Sequence, residues 1–177
     1  VVPDDGEPRE QTQCRMLWDD AALYVYFEAA DDDLTATYTQ RADPLYREDV
    51  VELFLAPQGT AGPYCEFEVN PIGAVMALSI PGLKEKAGLS LADMSQWETG
   101  IRHDVHASGS VNDPADPDRF YRVVMAIPWV NMTRIQRPRP GDRWCFNAAR
   151  CNTSHKADKT REYSAAPALG KLDFHPT

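Results

Sequence analysis

The stretch MLWDDAALYVYFEAAD, residues 16–31, indicates the fold class most directly. After the pair Asp19-Asp20, apolar residues recur at every second position, namely Leu23, Val25, Phe27 and Ala29. Because successive side chains of a strand point to opposite faces, this spacing predicts a strand with one apolar face. Paired aspartates are typical of a turn, so the whole stretch predicts a β-hairpin.

The same period of two recurs along most of the chain and predicts six further strands, at 49–57, 64–70, 75–80, 101–108, 119–129 and 143–151. A short helix is predicted around 90–95, and no strand is predicted in the polar tail after Asn152. With 14 prolines and 10 glycines, the composition also favours short elements joined by turns. Many short strands with regular turns predict an all-β fold, an antiparallel β-sandwich or jelly roll that forms a single domain over residues 1–177.

Composition and charge exclude several classes of protein. A hydrophobic content of 43% is typical of a folded globular chain. The net charge of −9 repels phosphate backbones and anionic lipids, so we expect no nucleic-acid or membrane partner. No apolar run reaches about 18 residues, so no transmembrane helix is predicted. Neutral sugars and divalent cations remain as ligand classes.

The N-terminal residues and the cysteines bear on the protein's cellular compartment and on whether disulfides form. Val1 is followed by Pro3, Asp4 and Asp5 and not by the basic and apolar regions of a signal peptide, so we expect a mature form or an excised domain. The four cysteines are Cys14, Cys65, Cys145 and Cys151, and they lack zinc-ligand spacing. The last two fall in one predicted strand, too far apart to pair with each other. Free thiols and two disulfides both stay open.

Candidate functional residues stand on predicted strands and in loops. No nucleophile motif is present, but Glu52 and Glu68 are a possible acid–base pair for glycoside hydrolysis, and solvent-facing carboxylates are the simpler interpretation. Tyr46 lies in the turn-rich segment RADPLYRED, residues 41–49. An aromatic side chain exposed there can stack on the apolar face of a sugar, or it can cover the end of the core.

An oxygen-rich loop is a candidate calcium site. The loop NDPADPD, residues 112–118, contains four side chains with carboxylate or amide oxygens, namely Asn112, Asp113, Asp116 and Asp118. Such oxygens are the ligands that Ca²⁺ prefers, although the spacing is not that of an EF-hand. Loops rich in aspartate and proline are also common as plain turns.

Six segments carry a more specific signal when they are taken in order: MLWDDAALYVYFEAAD (16–31), RADPLYREDVVELFL (41–55), YCEFEVNPIGAV (64–75), NDPADPDRFYRVVMAIPW (112–129), RPRPGDRWCFNAAR (137–150) and LDFHP (172–176). In order and spacing they resemble the family 9 carbohydrate-binding modules and their bacterial relatives over nearly the whole chain. The resemblance implies a non-catalytic jelly-roll domain, trimmed at one or both ends, that binds glucose- or xylose-type sugars, often at the chain ends of polysaccharides such as cellulose or xylan.

The resemblance also implies a binding site in which two aromatic side chains sandwich a sugar and polar groups bind its hydroxyls. Tyr46 and Phe174 match the aromatic positions, and Glu52 matches a sugar-binding carboxylate. Glu68 falls where the best-known member has an arginine. The positions implied for the site are Tyr46, Glu52, Glu68, Asn147, Arg150 and Phe174.

The same resemblance implies a cellular location and a partner for the domain, and its departures favour an alternative function. It implies an extracellular or periplasmic module that is attached to or acts with a glycoside hydrolase and holds structural calcium. Tyr46, Phe174 and Glu68 differ from the tryptophans and the arginine of characterised modules. These differences favour an alternative, an interaction or structural domain that has lost the sugar site. A haem-binding sandwich would need Met125 or Met132 with His103 or His175 as ligands.

Overall fold

The computed structural model describes residues 6–57, 59, 62–82, 88–132, 135–154, 161–167 and 174–175. Within these residues the chain forms nine strands and little helix. The strands are β1 Thr12–Trp18, β2 Ala22–Ala30, β3 Val50–Ala56, β4 Tyr64–Val69, β5 Val75–Ile80, β6 Arg102–Ser108, β7 Phe120–Pro128, β8 Cys145–Thr153 and β9 Arg161–Ala166. The helices are α1 Leu91–Met94 and two 3-10 helices, Leu45–Arg47 and Trp129–Asn131.

The strands form two antiparallel sheets that pack as a sandwich. One sheet has four strands in the order β1-β2-β7-β6, and the other has five in the order β5-β4-β3-β8-β9. Strands β1 and β2 form the predicted hairpin, with Trp18 opposite Leu23. The prediction of an all-β antiparallel sandwich is therefore confirmed.

The main core lies between the two sheets. The alternating apolar residues of β2 point into it, as the sequence predicts, and Phe27 is only 1% exposed. Val123 and Met125 of β7 join them from the same sheet, while Leu53 and Phe67 come from the five-stranded sheet. Burial of these aliphatic and aromatic side chains holds the sheets together.

The five-stranded sheet is buried on its outer face as well. Every residue of β3 and β4 is buried, so neither strand has a solvent-facing side. A second apolar cluster covers the outer face and includes Phe54, Tyr64 and Leu78. Antiparallel sheets commonly expose one face to water, so a covered outer face marks this sheet as the unusual one.

Smaller predictions can also be compared with the structure. The helix expected around 90–95 is α1, which Ser90 caps by accepting a hydrogen bond from the amide of Asp93. Cys145 and Cys151 do lie in one strand, and neither forms a disulfide. Strand β9 was not predicted. Among the described residues, no helix has the length and apolar character needed to cross a membrane.

Arg150 does not lie where the sequence comparison placed it. It pairs across the sheet with Val51, a core residue, so its side chain points inward and is 1% exposed. Its guanidinium contacts Asp31 Oδ2 at 2.6 Å and donates to the carbonyl of Ala30 at 2.6 Å. Arg150 therefore ties the five-stranded sheet to the end of β2, and its expected place in the sugar site is corrected.

We predict that Arg150→Met strongly destabilises the protein, because it leaves the Asp31 carboxylate buried without its partner. The expected loss in the free energy of unfolding is about 3–5 kcal/mol, measured by denaturant titration. Arg122→Met is the control, because the Arg122–Glu28 pair is partly exposed and should contribute far less. Equal losses in the two variants would contradict the interpretation.

Candidate functional site

Three carboxylates lie side by side on the outer face of the five-stranded sheet. Glu52 of β3 is directly opposite Glu68 of β4, and Phe54 is opposite Glu66. Residues at every second position share a face, so all three carboxylates point to the same side as the apolar cluster around Phe54. The strand register therefore places them together.

These carboxylates are almost fully buried. The exposed fractions of Glu52, Glu66 and Glu68 are 2%, 3% and 0%, and one oxygen of each lies within 4.8 Å of the others. The thiol of Cys151 donates a hydrogen bond to Glu52 Oε1 at 3.1 Å. Glu68 lies beside the backbone amide of Tyr46, but neither of its oxygens has a well-formed hydrogen bond to a described residue.

Burial disfavours the charged form of these groups. It raises the pKa of Glu52 from 4.5 to about 8, and the nearby charge of Glu66 adds to the effect. Burial, followed by the charges of Glu52 and Glu66, also holds the pKa of Glu68 well above its ordinary value. Glu52 and Glu68 therefore favour the protonated form near neutral pH.

Aromatic and amide groups complete the outer face. Tyr46, in the 3-10 helix Leu45–Arg47, is 38% exposed. The ring of Phe174 lies 6.5 Å from that of Phe54, and its carbonyl accepts a hydrogen bond from Asn147 Nδ2 at 3.3 Å. Asn147 Oδ1 is buried and has no hydrogen-bond partner among the described residues.

His175 packs beside Phe174 on the same face. Its ring lies 5.4 Å from that of Phe54, and Nδ1 is 2.9 Å from the hydroxyl of Tyr64. The same nitrogen is 3.6 Å from Glu66 Oε2. Phe174 and His175 therefore both contact the residues that surround the carboxylates.

The structure brings together five of the six positions implied by the resemblance, all except Arg150. They are Tyr46, Glu52, Glu68, Asn147 and Phe174. The sequence comparison missed Glu66 and His175. Glu66 precedes Glu68 by two residues in a strand, and this spacing alone is enough to place it on the same face. No comparable pattern indicates His175.

The loop 112–118 does not gather its carboxylates around one point. Asn112 bonds to the backbone of Ala36, and Asp113 accepts from the amide of Ala115. Asp116 accepts from the Ser110 hydroxyl, and buried Asp118 accepts from the amides of Leu34 and Ser110. The three aspartates form no group within reach of one ion, and their oxygens serve as turn and loop bonds. Calcium in this loop stays a prediction.

Comparisons with known proteins agree on one family. The family model described as "Carbohydrate family 9 binding domain-like" matches residues 5–168. No curated protein is significantly similar in sequence.

Solved structures share the fold. A family 9 carbohydrate-binding module from Caldicellulosiruptor kristjanssonii, in complex with cellotriose, has a TM-score of 0.54 and 18% identity, over 90% of this chain and 66% of that one. The same kind of module from that organism in complex with glucose has a TM-score of 0.53 and 18% identity, over 88% and 66%. A carbohydrate-binding protein from Bacteroides uniformis, described as putative, has a TM-score of 0.59 and 14% identity, over 94% and 75%.

We predict that Glu52→Gln stabilises the fold at high pH in buffer free of divalent cations. A carboxyl with a raised pKa binds more protons in the folded than in the unfolded chain. The free energy of unfolding therefore falls as pH rises from 4.5 towards about 8. The variant lacks this penalty, and each 1 kcal/mol gained raises Tm by roughly 2–4 °C. Below pH 4.5, where both proteins hold a neutral group, the two curves should converge.

The measurement is thermal unfolding across this pH range, with Glu98→Gln as the control. The Glu98 side chain is 96% exposed, so its substitution should leave the pH profile unchanged. A Glu52→Gln variant that loses stability most at high pH would contradict the assigned burial effect.

Proposed function

Because the chain belongs to the carbohydrate family 9 binding domain-like family, we propose that it binds a glucose-type saccharide on the outer face of the five-stranded sheet. The observation that carries the proposal is a group of buried polar side chains, called the polar floor below, which the apolar cluster around Phe54 surrounds. They are Glu52, Glu66, Glu68 and Asn147. The similar modules from Caldicellulosiruptor kristjanssonii are in complex with cellotriose and glucose, which supports this ligand class.

The chemistry of the floor suits sugar hydroxyls. A hydroxyl both donates and accepts hydrogen bonds, so it can satisfy the unpaired oxygens of Glu68 and Asn147. A protonated carboxyl has the same dual capacity, and the raised pKa of Glu52 keeps it available near neutral pH. The acidic floor therefore replaces, with neutral hydrogen bonding, the arginine that the resemblance leads us to expect.

Tyr46 supplies an apolar surface at the edge of this floor. Its ring is 38% exposed, its backbone amide lies beside Glu68, and it belongs to a 3-10 helix that the completely buried Leu45 anchors. A sugar ring stacks its C–H face on such an aromatic surface. We assign Tyr46 as the stacking residue and Phe174 as the second aromatic side.

The family is one of binding modules, so the prediction of a non-catalytic domain is confirmed. Although Glu52 and Glu68 are a close pair of carboxylates, we assign them no part in hydrolysis. We further propose that the domain works outside the cytoplasm together with a glycoside hydrolase on cellulose- or xylan-type chains.

One observation favours a second function, an interaction or structural domain without a working sugar site. Glu52 and Glu68 are at most 2% exposed, and Phe174 and His175 pack against their neighbours. A sugar reaches these carboxylates only if covering residues move. The two functions differ in whether any saccharide binds at all.

We predict that cellotriose binds with an affinity in the micromolar to millimolar range and that Tyr46→Ala weakens it at least about fivefold. Loss of one stacking contact of about 1 kcal/mol produces an effect of this size. Isothermal titration calorimetry with cellotriose, glucose and xylotriose measures the affinity and the preference among sugars.

Tyr24→Ala is the matched control, because Tyr24 is a partly exposed tyrosine on the other sheet, and its hydroxyl donates a hydrogen bond to Asp19. This variant should bind cellotriose like the wild type. Flat heats for every sugar, with the fold intact, would favour the interaction domain. Equal losses in both tyrosine variants would remove Tyr46 from the site.

A further inference from the structure

We propose that a cavity at one end of the sandwich binds an acidic saccharide, a sugar of the uronic acid class, through its carboxylate. The cavity has a volume of about 500 Å³. Sites for small ligands typically measure roughly 300–1,000 Å³. The residues that line the cavity include Gln136, Arg137, Arg139, Asp142, Arg143 and Trp144. This site goes beyond the proposed function and does not depend on it.

The cavity is separate from the polar floor of the five-stranded sheet. It lies where β3 ends and β8 begins, because Pro57 directly follows β3, Trp144 directly precedes β8, and both line it. Glu52 precedes Pro57 by five residues, which span roughly 16–17 Å in a strand. A ligand in the cavity therefore leaves the sugar site on the outer face unoccupied.

The lining has a charge opposite to that of the whole chain. The chain has a net charge of −9, but residues 136–143 contain three arginines and a single acidic residue, Asp142. Arg137, Arg139 and Arg143 are exposed and all line the cavity. A concave surface with charges of one sign attracts ligands of the opposite sign, so this cavity suits an anion.

Little acidic charge competes with a ligand for these arginines. Among the described residues, Arg139 and Arg143 form no ion pair. Arg137 is paired with Asp20 at 2.9 Å, but the Asp20 side chain is 91% exposed, and exposed ion pairs are weak. Asp142 accepts a hydrogen bond from the backbone amide of Arg139 at 2.8 Å. At least two guanidinium groups are therefore available to a bound anion.

A tight turn brings two of the arginines to the cavity. The amide of Asp142 donates a hydrogen bond to the carbonyl of Arg139 at 2.9 Å, which closes a four-residue turn. Pro140 and Gly141 occupy its centre, and Gly141 has a φ of 97°. Proline followed by a residue with positive φ is typical of a type II turn. The turn therefore places Arg139 at its start and Arg143 directly after its end.

Trp144 gives the cavity an aromatic side. It is half-buried, packs against the main core and meets the ring of Trp129 edge-on, with the ring centroids 5.9 Å apart. Trp129 in turn donates a hydrogen bond from Nε1 to the carbonyl of Asp19 at 2.9 Å. Trp144 is therefore anchored on the protein side while it lines the cavity. The apolar C–H face of a pyranose can stack on such a ring.

The combination of these groups indicates the ligand class. Guanidinium groups bind carboxylates through two parallel hydrogen bonds, and the amide of Gln136 can donate to and accept from hydroxyls. A uronic acid has a pyranose ring, hydroxyls and a carboxylate, so it uses the arginines, Gln136 and Trp144 together. Membership of a carbohydrate-binding family favours this ligand over an inorganic anion.

The test is a titration of the whole chain with sodium glucuronate at constant ionic strength, followed by the indole N–H signal of Trp144 in NMR spectra. The signal is assigned by its absence in Trp144→Phe. We expect a saturable shift in the wild type. The neutral methyl ester of glucuronic acid should bind at least about tenfold more weakly, because the charge-assisted hydrogen bonds to arginine are lost.

Variants locate the site. Arg143→Gln should weaken glucuronate binding at least about tenfold and leave the calorimetric affinity for cellotriose unchanged. Arg119→Gln is the matched control, because Arg119 is also exposed but precedes β7, at the end of that strand opposite to Trp129. This variant should bind glucuronate like the wild type, and so should Tyr46→Ala.

The absence of a saturable shift in the folded wild type overturns the proposal. Equal affinities for glucuronate, its methyl ester and sodium sulfate also overturn it, since the cavity then does not select an acidic sugar. Equal losses in Arg143→Gln and Arg119→Gln, or a loss in Tyr46→Ala, would place the ligand elsewhere and contradict it as well. Cellotriose calorimetry is separate, so either proposal can fail alone.

Discussion

Burial of both faces of the five-stranded sheet is the constraint on which the rest of the structure depends. Strand β3 has no solvent-facing residue, because one side packs in the main core and the other under the outer apolar cluster. Any polar side chain that alternation places on β3 or β4 must therefore be buried. Glu52, Glu66 and Glu68 are the result, three acidic groups in an environment that penalises their charge.

Burying a polar group destabilises the fold unless the group forms hydrogen bonds or an ion pair. This requirement links the fold to its function. The inner and outer faces of the five-stranded sheet meet this requirement differently. On the inner face, Arg150 is matched by Asp31 and by the carbonyl of Ala30, so its burial holds the sheets in place. On the outer face, the oxygens of Glu68 have no well-formed hydrogen bond to a described residue, and in the proposed function sugar hydroxyls satisfy them.

Much of the fold could be predicted from period-two alternation, including the first hairpin and eight of the nine strands. Strand β9, Arg161–Ala166, was missed because its residues, apart from Tyr163, are polar or small and show no clear apolar alternation. Arg150 was assigned to the site although it is three residues from Asn147, and an odd spacing in a strand puts two side chains on opposite faces. Covering of the outer face depends on distant segments such as Phe174, which no local pattern reveals.

The central claim is that ligands bind at the outer face of the five-stranded sheet. Backbone NMR shift mapping during a titration with cellotriose tests it most directly. The account predicts that the largest perturbations cluster on β3, β4 and β8 around Glu52, Glu68 and Asn147, and at Tyr46 in the adjoining 3-10 helix. Perturbations confined to the four-stranded sheet would contradict it.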